Sequence, residues 1–425
     1  MACRMASCRR HPVNSKPRHT MLLAHLPRHA VNHSTRSTRA SFALALTLAS
    51  SAILLAACQT PPTASEDAAA APATKATTSP VILVSDGKLT PAGEAVRDQG
   101  LIYYKNRQDA ATFHAWLPLA EAGHPETQFN LGALLQNSNE LPNDDRAALG
   151  WHEKAAARGY GESNCHVGNL LRKLSRDDDS LARARNAYLR GADMGESVCM
   201  HNAAAVLLAG EGGPRDAAGG AMWLAKAAEA GLVESQLKLG TAYLHGNYGL
   251  NDPVKARHWL GKAAEAGDMN AMHNLASMLD DGHGGPKDAA AAAVLYRKAA
   301  AAGQGQSANN LGLLYRQGAG VKRDDAQAIA FFTRAIELQN FDGAVNLGDM
   351  HFLGRGTKRD RAVAAIQYKR AAENGVAWGE CRLAAMMRHG EGLKRDQKAA
   401  NAAESKALAA LPKADCRTAL SKLLR

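Results

Sequence analysis

Apolar and small residues recur along the chain with a helical period that sits inside a longer repeat. In residues 232–267, Leu239 and Tyr243 fall on one face of a first predicted helix. A glycine-rich turn follows, and Ala256 and Leu260 then mark the apolar face of a second helix. The pattern therefore predicts two amphipathic helices joined by a short turn.

This pattern returns every 36 residues from His124 to Gly375, seven times without insertion or deletion. The register is marked by Leu131-Gly132, Val167-Gly168, Ala203-Ala204, Leu239-Gly240, Leu275-Ala276, Leu311-Gly312 and Leu347-Gly348. A shorter eighth copy opens at Leu383-Ala384. A period of this size is typical of solenoids, because one helix pair cannot bury its own apolar face and stacked pairs share a core.

Two further columns of the repeat predict where the second helices begin and end. N-cap residues are predicted at Asp144, Ser180, Asp216, Asp252, Asp288, Asp324, Asp360 and Asp396. Closing residues in the left-handed conformation are predicted at Gly123, Gly159, Gly195, Gly231, Gly267, Gly303, Gln339 and Gly375. The second copy departs most, since Leu174 and Arg176 stand where turn glycines belong.

The repeat follows the composite A-x-x-x-L-G…Y-x-x-G-x-G-V-x-x-D…A…W-x-x-K-A-A-x-x-G. The sixth copy carries most of it, as Ala308, Leu311-Gly312, Tyr315, Gly318, Gly320-Val321, Asp324, Ala328 and Arg334-Ala335. These residues resemble the Sel-one-like repeat family, a branch of the tetratricopeptide-like superfamily, from Ala95 to about Ala410. The resemblance implies an all-α fold, a right-handed α-solenoid of stacked antiparallel helix pairs, with a concave surface that binds a protein or peptide.

The N-terminal segment is predicted to be an export signal. Arg36 and Arg39 precede an apolar run over 42–57, which is too short to span a bilayer. The run ends in Leu55-Ala56-Ala57-Cys58, which resembles a bacterial lipobox and implies cleavage before Cys58 and lipidation of Cys58. Gln59 favours sorting to the outer membrane, facing the periplasm. The alternative is a soluble secreted protein cleaved after Ala57.

Composition shifts divide the chain into five segments. Residues 1–57 are the signal peptide with a long N-terminal extension, so that translation starts at Met1 or Met21. Residues 58–80 form an Ala-, Thr- and Pro-rich tether without apolar period, predicted to be disordered. Residues 81–123 form a capping region with an incomplete leading repeat, residues 124–375 the seven repeats, and residues 376–425 the eighth partial repeat and a closing cap helix from Lys413.

The positive charge of the chain belongs mostly to its first segment. The formal net charge is +11, but residues 1–57 hold eight Lys or Arg and no Asp or Glu. Residues 58–425 therefore carry 43 basic against 40 acidic side chains, a net charge of +3. This balance, together with export, argues against nucleic acid as a partner.

A polar column next to the Leu-Gly motif is the first binding candidate. It reads Asn130, His166, Asn202, Lys238, Asn274, Asn310, Asn346 and Arg382. An asparagine amide donates and accepts hydrogen bonds, which suits the backbone of an extended peptide. The predicted peptide-binding residues are Asn130, Asn202, Lys238, Asn274, Asn310 and Asn346. The alternative is that these side chains only bridge neighbouring repeats.

A basic column follows the second helices. It reads Lys154, Arg190, Lys226, Lys262, Lys298, Arg334 and Arg370. Acidic residues three positions later predict ion pairs on a solvated helix face, at Glu229, Glu265, Glu337 and Glu373.

Motifs of known catalytic chemistry are incomplete. Ser235 and Lys238 match S-x-x-K, but the partner motifs S-D-N and K-T-G are missing. Residues 282–285 are glycine-rich but follow no predicted strand, and the 16 histidines never form H-E-x-x-H. No catalytic residue, metal ligand or cofactor is predicted.

Four cysteines remain after Cys3, Cys8 and the lipidated Cys58 are set aside, and they permit three connectivities. Cys165 and Cys199 lie near the starts of adjacent first helices, and Cys381 and Cys416 repeat that relation. An oxidising compartment allows both pairs to form. Free buried thiols are the alternative.

The sequence thus predicts a non-enzymatic protein- or peptide-binding scaffold in the bacterial cell envelope. Two alternatives stay open. One is an envelope enzyme acting on β-lactams or peptidoglycan, and the other is a structural spacer without a specific ligand.

Overall fold

The computed structural model describes residues 82–411 and Cys416 of the 425-residue chain. The predicted signal peptide, the tether and lipidated Cys58 lie outside the described residues. The predicted closing helix from Lys413 also lies outside them, apart from Cys416.

Nine helix pairs follow one another in the described part. A short antiparallel hairpin, β1 (Val84–Ser85) and β2 (Lys88–Leu89), precedes them. The helices are α1 (Pro91–Lys105), α2 (Asp109–Glu121), α3 (Pro125–Asn137), α4 (Asp145–Ala157), α5 (Ser163–Leu174), α6 (Asp178–Asp193), α7 (Ser197–Ala209), α8 (Ala217–Glu229), α9 (Val233–His245), α10 (Pro253–Glu265), α11 (Met269–Asp281), α12 (Ala289–Ala301), α13 (Gly305–Gln317), α14 (Asp325–Glu337), α15 (Asp342–Leu353), α16 (Arg361–Glu373), α17 (Ala377–His389) and α18 (Gln397–Ala410). The odd-numbered helices are the first helices of each repeat and the even-numbered helices the second.

Each second helix packs against its own first helix and against the first helix of the next repeat, as α14 does with α13 and α15. First helices of successive repeats also contact one another directly, for example α5 with α7 and α15 with α17. The predicted all-α solenoid of stacked helix pairs is confirmed. The mutual approach of the first helices places them on the inner side of the stack.

Aspartates cap the second helices at seven of the eight predicted positions. The Asp324 carboxylate, for example, accepts hydrogen bonds from the backbone N–H groups of Ala326 and Gln327, both at 3.0 Å. The predicted cap Ser180 is wrong. Helix α6 begins earlier because the carboxylate of Asp177 accepts from the Ser180 N–H at 2.7 Å and caps the helix there.

The closing residues adopt the predicted left-handed conformation in every repeat. Gln339, the one position of the column without glycine, has φ = +64°. Asn340, the next residue, donates its N–H to the Ala335 carbonyl at 2.9 Å, which satisfies a carbonyl at the end of α14. The geometry of the column is therefore kept where glycine is replaced.

The predicted N-terminal capping region contains a helix pair, α1 and α2. Helices α1 and α2 pair like those of the later repeats, and the buried Trp116 donates its indole N–H to the Arg97 carbonyl at 3.1 Å. Gly100 supplies the space for this ring, since a Cβ there would fall within the indole. This pair departs from the 36-residue pattern, because Gly100 lies four positions after the place where the Leu-Gly register would put its glycine.

The core of each repeat is built around one large side chain of the second helix. These residues lie 36 apart and are all buried, at Trp116, His152, Tyr188, Leu224, Leu260, Tyr296, Phe332 and Tyr368. In the regular repeats they pack on the glycine of the Leu-Gly motif. A Cβ added at Gly312 would lie 2.6 Å from Cε1 of Phe332, and one at Gly240 would lie 2.8 Å from Cγ of Leu260. The glycine thus lets the two helices approach closely.

The two cysteine pairs indicated by spacing come together. The Cα atoms of Cys165 and Cys199 are 5.1 Å apart, and those of Cys381 and Cys416 are 4.7 Å apart. Both separations lie in the range that a disulfide bridges, and both pairs of sulfurs are at bonding distance. The first pair joins α5 to α7, and the second joins α17 to the C-terminal residues.

Replacing Gly312 with alanine tests the close approach. We expect Gly312→Ala to lower the free energy of unfolding by roughly 1–3 kcal/mol, because Phe332 must move. Gly261→Ala is the matched control, since Gly261 lies in α10 with no neighbouring atom within 4 Å of an added Cβ. It should raise stability by roughly 0.5–1 kcal/mol. Denaturant midpoints measure both, and equal midpoints for the two variants would contradict the packing account.

Non-reducing peptide mapping tests the two disulfides. We expect the peptides that contain Cys165 and Cys199 to be linked, and likewise those that contain Cys381 and Cys416. Each closed loop should contribute roughly 3–4 kcal/mol in the chain-entropy model. Quantitative labelling of all four thiols in the native, unreduced protein would show that the bonds do not form.

Candidate functional site

A polar groove crosses the inner side of the stack at the sixth to eighth repeats. This inner groove encloses about 600 Å³ between α13, α15 and α17. Its lining includes Asn309, Arg316, Asn346, Asp349, Arg355, Trp378 and Arg382. Two of these residues, Asn346 and Arg382, belong to the polar column next to the Leu-Gly motif.

A buried carboxylate organises one wall of the inner groove. Asp349 accepts hydrogen bonds from the Tyr368 hydroxyl at 2.7 Å and from Arg382 Nε at 3.1 Å. Burial, together with the charge of Asp349, raises the pKa of Tyr368, so that its hydroxyl stays protonated. The Tyr368 side chain therefore fills the core of its repeat and fixes a charged pair in the groove at the same time.

Asn346 bridges neighbouring repeats within the inner groove. Its Nδ2 donates to Asn309 Oδ1 at 2.8 Å, and its Oδ1 accepts from Arg316 at 3.2 Å. Asn310, one repeat earlier in the same column, donates to the Tyr296 hydroxyl at 3.1 Å. At these two positions the column makes contacts between helices of adjacent repeats.

In the earlier repeats, the side chains of the polar column next to the Leu-Gly motif lack such partners. Within residues 82–411, the side chains of Asn202, Lys238 and Asn274 make no hydrogen bond and no ion pair, and all three are half-buried. Asn130 also makes no side-chain hydrogen bond there but is buried. The first helices α7, α9 and α11 thus present a row of donors and acceptors that leads along the inner side toward the inner groove.

Sequence reasoning missed the second-helix column that begins at Trp116. Hydroxyl groups from this column reach the first helices, as when Tyr188 donates to Asn169 Oδ1 at 2.6 Å. The signal was present as a large residue 20 positions after each Leu-Gly glycine. It was hidden because tyrosine, leucine, phenylalanine and histidine alternate there.

Ser235 of the S-x-x-K match belongs to a junction between repeats. It is fully buried, and its hydroxyl lies 2.8 Å from Nδ1 of His201. His273 and Ser307 make the same contact two repeats later, also at 2.8 Å. The pair Cys165 and Cys199 occupies these two positions one repeat earlier than His201 and Ser235.

Burial keeps the junction histidines neutral. It lowers the pKa of His201, where the charge of Lys238 acts in the same direction and Glu234 opposes it. Burial also lowers the pKa of His273. A neutral imidazole donates through one nitrogen and accepts through the other, which suits a fixed contact with a hydroxyl.

Two further buried histidines contact each other, one on α4 and one on α5. The rings of His152 and His166 stack with centroids 4.6 Å apart. Burial, and to a smaller degree His166, lowers the pKa of His152 to about 2. Across residues 82–411, no group of three or more potential metal ligands comes together.

The basic column on the second helices differs from its prediction. The ammonium groups of Lys154, Lys226 and Lys262 lie 4.1, 4.3 and 4.7 Å from the ring centroids of the tryptophans three residues before them. The predicted pair Arg334–Glu337 is confirmed at 2.9 Å.

The other predicted pairs of the basic column are wrong for the described residues. Lys226 and Lys262 lie over tryptophan rings, which attract a cation, and neither forms an ion pair with Glu229 or Glu265 among the described residues. Glu373 pairs with Lys369 at 3.7 Å and not with Arg370.

Repeat by repeat, the chain matches the Sel1 repeat, at residues 125–160, 197–232, 233–268, 270–304, 305–340, 342–376 and 379–402. These matches cover more than half of the chain, which therefore belongs to the Sel1 repeat family. The irregular second copy, with its early cap at Asp177, and the leading helix pair α1 and α2 lie outside these matches.

Solved structures of Sel1 repeat proteins are similar to this chain. A protective antigen from uropathogenic Escherichia coli strains with an SLR fold is 27% identical, with a TM-score of 0.64 over 73% of this chain and 66% of its own. A Sel1 repeat protein from Oxalobacter formigenes is 25% identical, with a TM-score of 0.57 over 73% of this chain and 90% of its own. No curated protein sequence matches the chain. Sel1 repeats are typically helical scaffolds for protein interaction.

Of the helices between residues 82 and 411, none combines the length and the apolar character that crossing a membrane requires.

Proposed function

We propose that this protein is a peptide-binding scaffold, or adaptor, of the bacterial cell envelope, without a catalytic centre of its own. The partner lies along the inner side of the first helices in extended form. The observation that carries this proposal is the row of Asn202, Lys238 and Asn274. These groups find no partner within the described residues and stand half-buried on the side that leads into the inner groove.

Spacing of the row supports an extended ligand. One side chain comes from each successive first helix, so the contacts repeat at the distance between repeats. An amide at each step can pair with a peptide N–H or C=O whatever the ligand sequence. Lys238, in the middle of the row, adds one positive charge.

Location is the second part of the proposal. We propose that Cys58 carries the lipid anchor and that residues 58–80 tether the solenoid to the outer membrane on its periplasmic side. The sequence Leu55-Ala56-Ala57-Cys58 supports this, and so do the two cysteine pairs, because disulfides persist in oxidising compartments. The lipid chains would provide the attachment to the membrane.

The two other functions are less well supported. An envelope enzyme acting on β-lactams or peptidoglycan would need a reachable nucleophile, but Ser235 is fully buried and bonded to His201. A structural spacer would not need half-buried polar groups without partners on its inner side, since such groups lose water contacts and contribute nothing to stability.

Alanine substitution along the polar column separates binding from stability. We expect Asn202→Ala and Asn274→Ala to weaken peptide capture by roughly 0.5–1.5 kcal/mol each, with unchanged thermal midpoints, because neither side chain has an internal partner. Asn346→Ala is the matched contrast from the same column, and it should lower the midpoint because it removes the contacts to Asn309 and Arg316. Lower midpoints with unchanged capture for Asn202→Ala and Asn274→Ala would identify the row as structural.

Substituting Cys58 tests the anchor. We expect Cys58→Ala to abolish labelling with palmitate and to move the protein from the membrane pellet to the soluble periplasmic fraction. Cys165→Ser is the control, since it removes a cysteine of the solenoid and should leave labelling and pelleting intact. A wild-type protein that takes up no lipid would exclude the anchor.

A further inference from the structure

Three first helices carry an arginine at the same position of the repeat, and two of these arginines have an internal carboxylate. Arg172 binds Glu211 with Nε–Oε1 and Nη2–Oε2 distances of 2.7 and 2.9 Å. Arg388 binds Glu404 with an Nη2–Oε2 distance of 2.5 Å. The third is Arg316, which lies four repeats after Arg172 and two before Arg388.

Arg316 has no such partner. No carboxylate of the described residues lies within 4.0 Å of its guanidinium, although Asp342 and Asp349 line the same groove. Its side chain donates to Asn346 Oδ1 at 3.2 Å, and its Cζ lies 6.0 Å from the centroid of the Phe332 ring. These contacts hold the guanidinium in place, and none of them is an ion pair.

A charge reversal explains the missing carboxylate. The residue that pairs with Arg172 lies 39 positions after it, and the residue 39 positions after Arg316 is Arg355. Arg355 donates to the Arg316 carbonyl at 2.8 Å and binds Asp325 at 2.6 Å. The site that elsewhere completes an ion pair is therefore occupied by a second cation.

The surroundings favour an incoming anion. Burial is the main cause that lowers the pKa of Arg316. The charges of Arg355 and Arg382 act in the same direction, whereas those of Asp349 and Asp325 oppose it. The Asp349 carboxylate forms its ion pair with Arg382, at 3.1 Å, and not with Arg316. A carboxylate placed beside Arg316 would pair with its positive charge and form charge-assisted hydrogen bonds.

We propose that Arg316 in the inner groove binds a carboxylate of the extended peptide partner, so that the scaffold selects ligands with an acidic group at one defined place. This inference rests on the proposed function and names the class of ligand. Asn309, whose Nδ2 donates no hydrogen bond among the described residues, lines the same groove. Trp378 is 44% exposed at the same groove and offers an apolar surface to a neighbouring side chain.

The carboxylate can belong to an Asp or Glu side chain or to the C-terminus of the peptide. A random octapeptide library, made once as free acids and once as C-terminal amides, distinguishes the two sources. The purified full-length protein is immobilised, and the retained peptides are sequenced by mass spectrometry. A side-chain carboxylate enriches Asp and Glu at one position in the amide library, whereas a terminal carboxylate enriches the free acids regardless of sequence.

Variants assign the selection to one residue. Arg316→Gln should abolish the enrichment and weaken binding of an enriched peptide by roughly ten- to a hundredfold. Arg316→Lys keeps the positive charge but cannot form the bidentate hydrogen bonds of a guanidinium, so it should give an intermediate loss of peptide affinity. Arg172→Gln is the matched control at the same repeat position. It should lower the thermal midpoint, because it breaks the pair with Glu211, and leave peptide binding unchanged.

Each outcome separates this inference from the proposed function. Enrichment of acidic peptides that disappears in Arg316→Gln, while the variant keeps the helical circular dichroism spectrum of the wild type, supports both. Peptides retained equally well with and without a carboxylate, or enrichment that survives Arg316→Gln, overturn the inference and leave the scaffold function standing. If the protein retains no peptide of either library, the inference and the peptide-binding function both fail.

Discussion

Close approach of two helices within each repeat is the constraint on which the rest of the structure depends. The glycine of the Leu-Gly motif leaves room for one large side chain of the second helix, as Gly312 does for Phe332. This contact sets the distance and register of the pair, and the next first helix then packs against the same second helix. Five of the seven 36-residue repeats have this glycine, and alanine takes its place at Ala204 and Ala276, so a small residue stands at the contact in all seven.

The packing also decides what the inner side offers to a ligand. Tyr368 fills the core and still places its hydroxyl on Asp349, and Tyr296 reaches Asn310 in the same way. Part of the polar column is thereby fixed by the core, and the remainder is left without a partner. The residues at the junctions between repeats vary as well. The same two positions hold a cysteine pair at one junction and a histidine with a serine at two others. Scaffold and binding surface therefore share residues.

The sequence could predict the features that recur at fixed spacing and depend only on local backbone geometry or on the distance between two side chains. Aspartate caps, left-handed closing residues and the two cysteine pairs each depend on local geometry and on spacing, and the structure has them as expected. The helix start in the second copy differs from its prediction, since Asp177 and Ser180 are both good caps and the structure uses Asp177. The basic column was misjudged because an ion pair and a cation–π contact are equally compatible with the spacing.

The candidate site was harder to predict, because a column position does not reveal the partner of a side chain. Asn274 and Asn346 are indistinguishable in sequence, and only their neighbours across the repeat junction make one free and the other bonded. Likewise, Arg316 differs from Arg172 only through a residue 39 positions away. Such differences depend on packing between repeats, which periodicity alone does not describe.

Site-specific photo-crosslinking in living cells tests the central claim, that the inner side of the first helices holds the partner. A photoreactive amino acid placed at Asn274, on a first helix, is compared with one at Val294, an exposed position on second helix α12. The account predicts a discrete adduct from position 274 and none from position 294. An adduct from position 294 alone, or no adduct from either position, would contradict it.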